Sequence, residues 1–85
     1  MPYIPKASRE KYDGFIDILV EDINCKGDLN YVISKICIGY LNKHKPISYG
    51  ILSGVKGVLD DAKDEFYRVY MVPYEDKKRS ENGEL

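Results

Sequence analysis

The feature of this sequence that most constrains its fold is one long amphipathic stretch in the second half of the chain. Its apolar residues recur every three or four positions over about six turns, the period of an α-helix; they are Ile51, Val55, Val58, Leu59, Ala62, Phe66 and Val69. Ser48 can cap the start of this helix, and Pro73 is expected to stop or kink it. The spacing therefore predicts a helix over 48–72, about 37 Å long, on which the rest of the chain packs.

Two shorter amphipathic helices are predicted before this stretch. The first covers about 9–26 with Ser8 as its cap, and the second covers about 29–43 with Asp28 as its cap. Gly27 lies between them and can take the left-handed conformation that closes a helix. Because the linker is then only about two or three residues long, the two helices are predicted to form an antiparallel hairpin.

The two ends of the chain are predicted to differ from the helices between them. Pro2 and Pro5 enclose two bulky apolar residues within residues 1–7, which favours an extended strap laid on the helices. After Pro73 almost every residue is charged, and a short helix can restart over 73–82 or the segment can remain a tail. The predicted fold class is therefore all-α: a three-helix up-down-up bundle in one domain over 1–85, with an N-terminal strap and a charged C-terminal helix or tail.

Charge and hydropathy narrow the function classes. With 13 basic and 14 acidic side chains, the chain lacks the basic surface of a nucleic-acid-binding protein. No apolar run approaches the ~20 residues of a membrane span, and the N-terminus lacks the apolar core of a signal peptide. A cytoplasmic protein is therefore expected, with neither nucleic acid nor membrane as partner.

The usual signatures of catalysis and of cofactor binding are absent from the sequence. Cys25 and Cys37 do not have metal or redox spacing, and a disulfide between them is not expected. His44 has no catalytic partner and is interpreted as a cation at a helix end. Because no phosphate-binding loop, nucleophile motif or zinc spacing is present, we expect no catalytic residue, no resident metal, no cofactor and no enzyme activity.

Small residues form a second stripe on the long helix, beside its apolar stripe. Three glycines inside a helix cost about 2–3 kcal/mol relative to alanine, so a compensating contact is expected. A glycine face lets another backbone approach closely or leaves room for a flat ligand. The neighbour can be a helix of the same chain, a helix of a second subunit in a homo-oligomer, or a ligand. The interface candidates are Gly50, Ser53, Gly54 and Gly57.

Acidic residues lie on two of the predicted helices. Carboxylates on facing helices can hold magnesium, as they do in all-α nucleotide pyrophosphatases of the MazG type. The pattern of these enzymes is Glu-x-x-Glu followed by Glu-x-x-Asp. Asp61-x-x-Asp64 matches only half of the second part, and nothing on the first predicted helix matches the first part. The preferred interpretation is a solvated polar face with lysines as helical neighbours. The residues concerned are Asp17, Glu21, Asp60, Asp61, Asp64 and Glu65.

Tyrosine is unusually frequent, with eight residues against two Phe and no Trp. Tyrosine can stack on a base, and Arg or Lys can neutralise a phosphate. Both kinds of side chain concentrate around Pro73, which favours a ligand-binding site there. The alternative interpretation is a charged chain end that only increases solubility. The candidate ligand-binding residues are Tyr67, Arg68, Tyr70, Tyr74, Lys77, Lys78 and Arg79.

Three short motifs carry a resemblance that covers most of the chain. The opening Met-Pro-Tyr-Ile-Pro, the central Gly27-Asp28-Leu29-Asn30-Tyr31 and the closing Pro73-Tyr74-Glu75-Asp76 with Glu81-Asn82-Gly83 resemble a family of short uncharacterised proteins of bacteriophages and prophages. The resemblance implies a small accessory protein made in the bacterial cytoplasm during infection, and it brings no catalytic residues. Small helical phage proteins that trap nucleotide immune signals are a known type, so the analogy extends to sequestration.

Three function hypotheses follow, in this order. The first is an oligomeric, non-enzymatic anti-defence protein that binds and sequesters a nucleotide-derived signalling molecule without cleaving it. The second is an interaction module that binds and inhibits only a host protein. The third, the least favoured, is a magnesium-dependent nucleotide pyrophosphatase.

Overall fold

The computed structural model describes residues 3–83, and all regular secondary structure in that range is helical. The predicted all-α class is therefore confirmed. In chain order the elements are α1 (Lys6–Glu21), α2 (Lys26–Lys43), α3 (Tyr49–Phe66), a π-helical segment (Tyr67–Met71) and α4 (Val72–Asn82). None of these described helices is long and apolar enough to cross a membrane.

α1 begins earlier than its apolar periodicity predicts. The residue before the helix is Pro5, whose carbonyl oxygen accepts hydrogen bonds from the backbone N–H groups of Ser8 and Arg9 at 2.9 and 3.1 Å. The fixed φ of proline suits a helix start, and proline has no N–H of its own to satisfy. Ser8, predicted as the cap, consequently lies within the first turn.

The junction between α1 and α2 is also displaced towards the N-terminus. The cap of α2 is Cys25, whose Sγ accepts from the backbone N–H of Asp28 at 3.4 Å. The Asp28 carboxylate in turn accepts from the backbone N–H of Asn24 at 3.4 Å, a reciprocal arrangement like a capping box. Gly27, predicted to close the first helix, therefore lies inside the first turn of α2, and four residues separate the helices.

The chain divides into two units, one over 2–52 and the other beginning at Ser53. Within the first unit, α1 and α2 do not pack side by side, so the predicted antiparallel hairpin is not confirmed. Tyr3 to Pro5 are non-helical and exposed. The rest of the predicted strap includes residues 1 and 2, which lie outside the described residues, and the strap is likewise not confirmed.

α3 begins where the sequence predicts, but the helix does not end at Pro73. The Ser48 hydroxyl accepts from the backbone N–H of Ile51 at 3.2 Å, which confirms the predicted cap. At the other end α3 runs through the π-helical segment directly into α4, whose second residue is Pro73. In a regular α-helix the proline ring would clash with the carbonyl of the residue four positions earlier. A π-helical turn is wider and relieves that contact.

α4 settles the conformation that the sequence left open for 73–82. It is a helix that ends at Asn82, and Gly83 follows with φ of 88°. The Gly83 N–H donates to the carbonyl oxygen of Arg79 at 2.7 Å. Glycine is suited to this position because a positive φ carries no side-chain penalty there.

The helices carry the predicted apolar residues, yet no side chain among residues 3–83 is buried. Phe15, Val58 and Phe66 are 76%, 66% and 58% exposed, respectively. An amphipathic helix normally gains most of its stability by burying its apolar face. The apolar faces of this chain are therefore largely uncovered.

Candidate ligand-binding segment

The predicted ligand-binding residues cluster around the π-helical segment. Residues 66–74, which we name the aromatic segment, present four rings to solvent, with exposed fractions between 48% and 65%. The rings of Phe66 and Tyr70 lie 5.3 Å apart between centroids and are tilted by 31°. The other two rings are those of Tyr67 and Tyr74. A row of exposed rings offers apolar faces on which a flat or apolar group can stack.

Two of these tyrosines contact charged residues of α4. The Tyr67 hydroxyl donates to Glu75 Oε1 at 3.4 Å, and Lys78 Nζ lies 5.6 Å from the centroid of the Tyr74 ring. The second distance is within the range of a cation–π interaction. The aromatic segment and α4 are thus joined by side-chain contacts as well as by the continuous backbone.

Most of the predicted phosphate-binding cations already have acidic partners one turn away. Arg68 pairs with Glu65, and Arg79 pairs with Asp76. Lys78 Nζ lies 3.5 Å from Glu81 Oε2, and Lys77 lies exposed on α4. With Glu75 included, four acidic and four basic side chains occupy 65–81. The segment therefore has balanced charge rather than the positive field that would attract a phosphate.

The predicted interface stripe lies on α3. A Cβ added at Gly54 or Gly57 would meet no heavy atom within 4 Å, and one at Gly50 would meet only Ser48 Oγ at 3.8 Å. Ser53, the fourth residue of the stripe, is exposed. Within the part of the chain described, the stripe thus has open space where a close neighbour was predicted.

The acidic residues do not gather into a metal site. Residues 3–83 contain no group of three or more His, Cys, Asp or Glu side chains placed to hold a metal ion. Lys56 Nζ lies 3.2 Å from Asp60 Oδ2, and Lys63 Nζ lies 3.7 Å from Asp64 Oδ1. These pairs follow the predicted pattern of a polar face with lysine neighbours.

His44 and Cys25 make local contacts at the two ends of α2. His44 Nδ1 donates to the carbonyl oxygen of Tyr40 at 2.9 Å, and its ring stacks on the Tyr40 ring at 4.3 Å. Cys25 and Cys37 are both free thiols. His44 therefore packs against the last turn of α2, near the helix end where the sequence placed it.

Two features of the segment were missed by the sequence reasoning. The π-helical turn has a signal, a proline inside an uninterrupted amphipathic run, but that signal by itself predicts a stop or a kink and not a widened turn. The ion pairs that Arg68 and Arg79 make with acidic residues also have a signal in the sequence. An acidic residue lies three positions before each arginine. Ion pairs with those acids lower the attraction of the segment for phosphate.

Comparison with known proteins identifies the family of this chain. A search of curated proteins and a search of solved structures gave no match. The model of one family, described as a domain of unknown function (DUF6899), matches residues 1–85. Because that match spans the whole sequence, the chain belongs to the DUF6899 family.

Proposed function

We propose that this chain is a small non-enzymatic binding protein that captures its ligand on the aromatic segment. The observation that carries this proposal is the row of exposed rings between Phe66 and Tyr74. A cluster of large exposed rings is unfavourable in water, so such clusters commonly mark binding surfaces. The π-helical turn within the cluster adds support, because such turns occur frequently at functional sites.

The ligand class we propose is a nucleotide-derived signalling molecule. Base–aromatic stacking contributes about 1–3 kcal/mol per base, and Tyr70 and Tyr74 are both more than half exposed. Lys77 and Lys78 follow Tyr74 within about one turn and can reach a phosphate attached to a stacked base. The proposed action is sequestration without cleavage, since stacking and ion pairing hold a ligand without breaking any of its bonds.

The proposed biological setting comes from the resemblance of the end motifs to phage and prophage proteins. A small protein that binds a nucleotide signal stoichiometrically would act against a host defence pathway by removing its messenger. The proposed location is the cytoplasm of the infected bacterium.

The test measures binding of a panel of cyclic and linear signalling nucleotides by calorimetry. Tyr70→Ala should lower the affinity for a bound nucleotide about tenfold or more, because one stacking platform is lost. Tyr31→Ala is the matched control, since Tyr31 lies on α2 and is 64% exposed against 65% for Tyr70. Denaturing the complex should release the nucleotide intact.

Two results would contradict the nucleotide proposal. One is the absence of binding across the whole panel by the wild-type chain. The other is an equal loss of affinity in Tyr70→Ala and Tyr31→Ala, which would place the ligand away from the aromatic segment. Release of a cleaved product would contradict sequestration and would favour the pyrophosphatase hypothesis.

A second candidate function is a protein-only inhibitor module that uses the same segment. The observation that favours it is the balanced charge of residues 65–81, where Arg68 and Arg79 are already paired with acids. Protein interfaces are enriched in tyrosine and arginine and do not need a net positive field. Stoichiometric capture of one host protein by the wild-type chain but not by Tyr70→Ala, without any bound nucleotide, would support this candidate.

The magnesium-dependent pyrophosphatase remains the least supported hypothesis. Its residues, such as Asp61 and Asp64, belong to no metal-binding group among residues 3–83. Absence of magnesium-dependent turnover of nucleoside triphosphates would exclude the pyrophosphatase hypothesis.

For the folded, ligand-competent protein we propose the up-down-up arrangement of three helices that the periodicity predicts, with residues 1–7 as a strap. The support is the apolar stripe on each helix, which an antiparallel bundle would cover. Long-range contacts between α1 and α2 in nuclear magnetic resonance spectra would test this arrangement. Their absence at every protein concentration would contradict it.

A further inference from the structure

α1 is the helix whose exposure most needs an explanation. Every residue from 9 to 22 is exposed, although the helix carries a continuous apolar stripe. An isolated helix of about this length is marginal in water, so its stability must come from packing of that stripe. α2 does not supply this packing within their common unit. The stripe consists of Tyr12, Phe15, Ile16, Leu19 and Val20.

The exposed fractions along the stripe indicate how far the missing contact extends. Phe15, Val20 and Ile16 are 76%, 56% and 50% exposed, respectively. Contiguous exposed apolar side chains of this kind mark an interaction surface. The missing contact therefore has to run along the length of the stripe.

The charges of α1 indicate which partner fits. Its first turn has no acidic residue and its last turn has no basic one. Three basic residues, Lys6, Arg9 and Lys11, lie in the N-terminal half together with two acids. The charged residues of the C-terminal half and just beyond it, Asp17, Glu21 and Asp22, are all acidic. This order opposes the dipole of the helix itself.

The same order is complementary to itself when the helix direction is reversed. We propose that α1 pairs antiparallel with α1 of a second copy of this chain, with the apolar stripes in contact. The basic half of each helix then lies beside the acidic half of the other. A two-fold axis near the middle of α1 relates the copies, as in other isologous dimers.

The stripe is wide enough for this pairing and for an in-chain neighbour as well. At about 100° per residue, the positions from Phe15 round to Val20 span about 140° of the helix surface. A single helix–helix seam occupies a narrower arc. The second copy therefore leaves part of the stripe free for α2 of the same chain.

Charge-reversed variants test the pairing. One variant carries Lys6→Glu, Arg9→Glu and Lys11→Glu, and a second carries Asp13→Lys, Asp17→Lys and Glu21→Lys. Each should raise the dimer dissociation constant about tenfold or more in sedimentation experiments, because like charges then face each other. An equimolar mixture of the two should restore association as a heterodimer.

Weaker dimerisation of these two variants would not result from unfolding of α1. Both variants place charges in the order that the helix dipole favours, so circular dichroism should show α1 retained or strengthened. The matched control for the first variant is Lys26→Glu, Lys35→Glu and Lys45→Glu, which makes the net charge more negative by the same amount outside α1. The control should dimerise like the wild-type chain.

Cross-linking fixes the direction of the pair. In a background of Cys25→Ser and Cys37→Ala, a Ser8→Cys chain mixed with a Leu19→Cys chain should form the mixed disulfide in preference to either symmetric one. The two positions lie on one face, about 16 Å apart along the helix. A preferred symmetric disulfide at position 8 would overturn the antiparallel direction.

Three further results would overturn the proposal. They are a wild-type chain that stays monomeric at all concentrations, a dimer that neither charge-reversed variant weakens, and a control variant that loses dimerisation as much as the α1 variants. Restoration of the heterodimer with the control unaffected would establish it.

Discussion

The hydroxyl of Tyr67 donates a hydrogen bond to the carboxylate of Glu75 across eight residues of continuous helix. Tyr67 is the first residue of the π-helical segment, and Glu75 lies in the first turn of α4 beyond Pro73. In a regular α-helix, side chains eight residues apart are about two turns apart. The contact therefore spans the widened turn and ties its two ends together.

Tyr67→Phe removes this hydrogen bond and keeps the ring. Because both side chains are solvent-accessible, we expect a loss of unfolding free energy below about 1 kcal/mol. The effect should be local, with faster amide hydrogen exchange in α4 than in α3. Equal exchange rates before and after the substitution would show that the hydrogen bond does not hold the turn.

Pro73→Ala tests the cause of the π-helical segment. Alanine restores a backbone N–H and removes the ring, and its helix propensity exceeds that of proline by up to about 3 kcal/mol. We expect higher stability to urea and a regular α-helix through 66–74, seen as changed backbone chemical shifts there. An unchanged π-helical turn would mean that side-chain contacts, such as Tyr67 with Glu75, maintain it.

Gly54→Ala tests the small-residue stripe of α3. Because a Cβ at this position meets open space, we expect alanine to raise stability by up to about 1 kcal/mol. A loss of about 1–3 kcal/mol would instead place a closely packed helix against Gly54. Gly54→Leu then distinguishes the remaining cases: a folded monomer in sedimentation locates the contact between subunits, and an unfolded chain locates it within one.

Leu19→Ala and Ile36→Ala test the apolar faces of α1 and α2. A buried site would lose about 2–5 kcal/mol on truncation, but Leu19 and Ile36 are 38% and 62% exposed. We expect Leu19→Ala to cause the larger loss, and that loss should depend on protein concentration if a second copy covers the stripe. Losses that are equal and independent of concentration would show that no second copy covers the stripe of α1.

The helices of this chain are largely predictable from sequence because their periodicity is a local property. The boundaries were less predictable, since Cys25 caps α2 although cysteine is not among the usual capping residues. The exposed ring pair of Phe66 and Tyr70 lies in the segment that the tyrosine content marked. Its balanced charge does not follow from the tyrosine and cation content alone, because Glu65 and Asp76 pair with the arginines.

The packing of the helices could not be predicted in the same way. A linker of two or three residues at Gly27 and Asp28 is the basis on which the sequence predicts an antiparallel hairpin. The actual linker lies earlier in the chain, because the contacts of Asp28 with Asn24 and Cys25 start α2 there. A linker limits the distance between two helices without specifying which faces meet. That choice depends on contacts far apart in the sequence or on a second chain, which single-sequence periodicity does not report.

The π-helical segment has a consequence for comparing this chain with its relatives. A single π-helical turn is equivalent to one residue inserted into an α-helix, so a homologue that lacks one residue within 67–71 would keep a regular helix from α3 into α4. In that homologue α4 would keep nearly the same orientation about the helix axis, because the widened turn absorbs the about 100° that an inserted residue would otherwise add. An alignment gap in this interval would therefore mark the loss of the widened turn, and the same side of α4 would still share a face with α3.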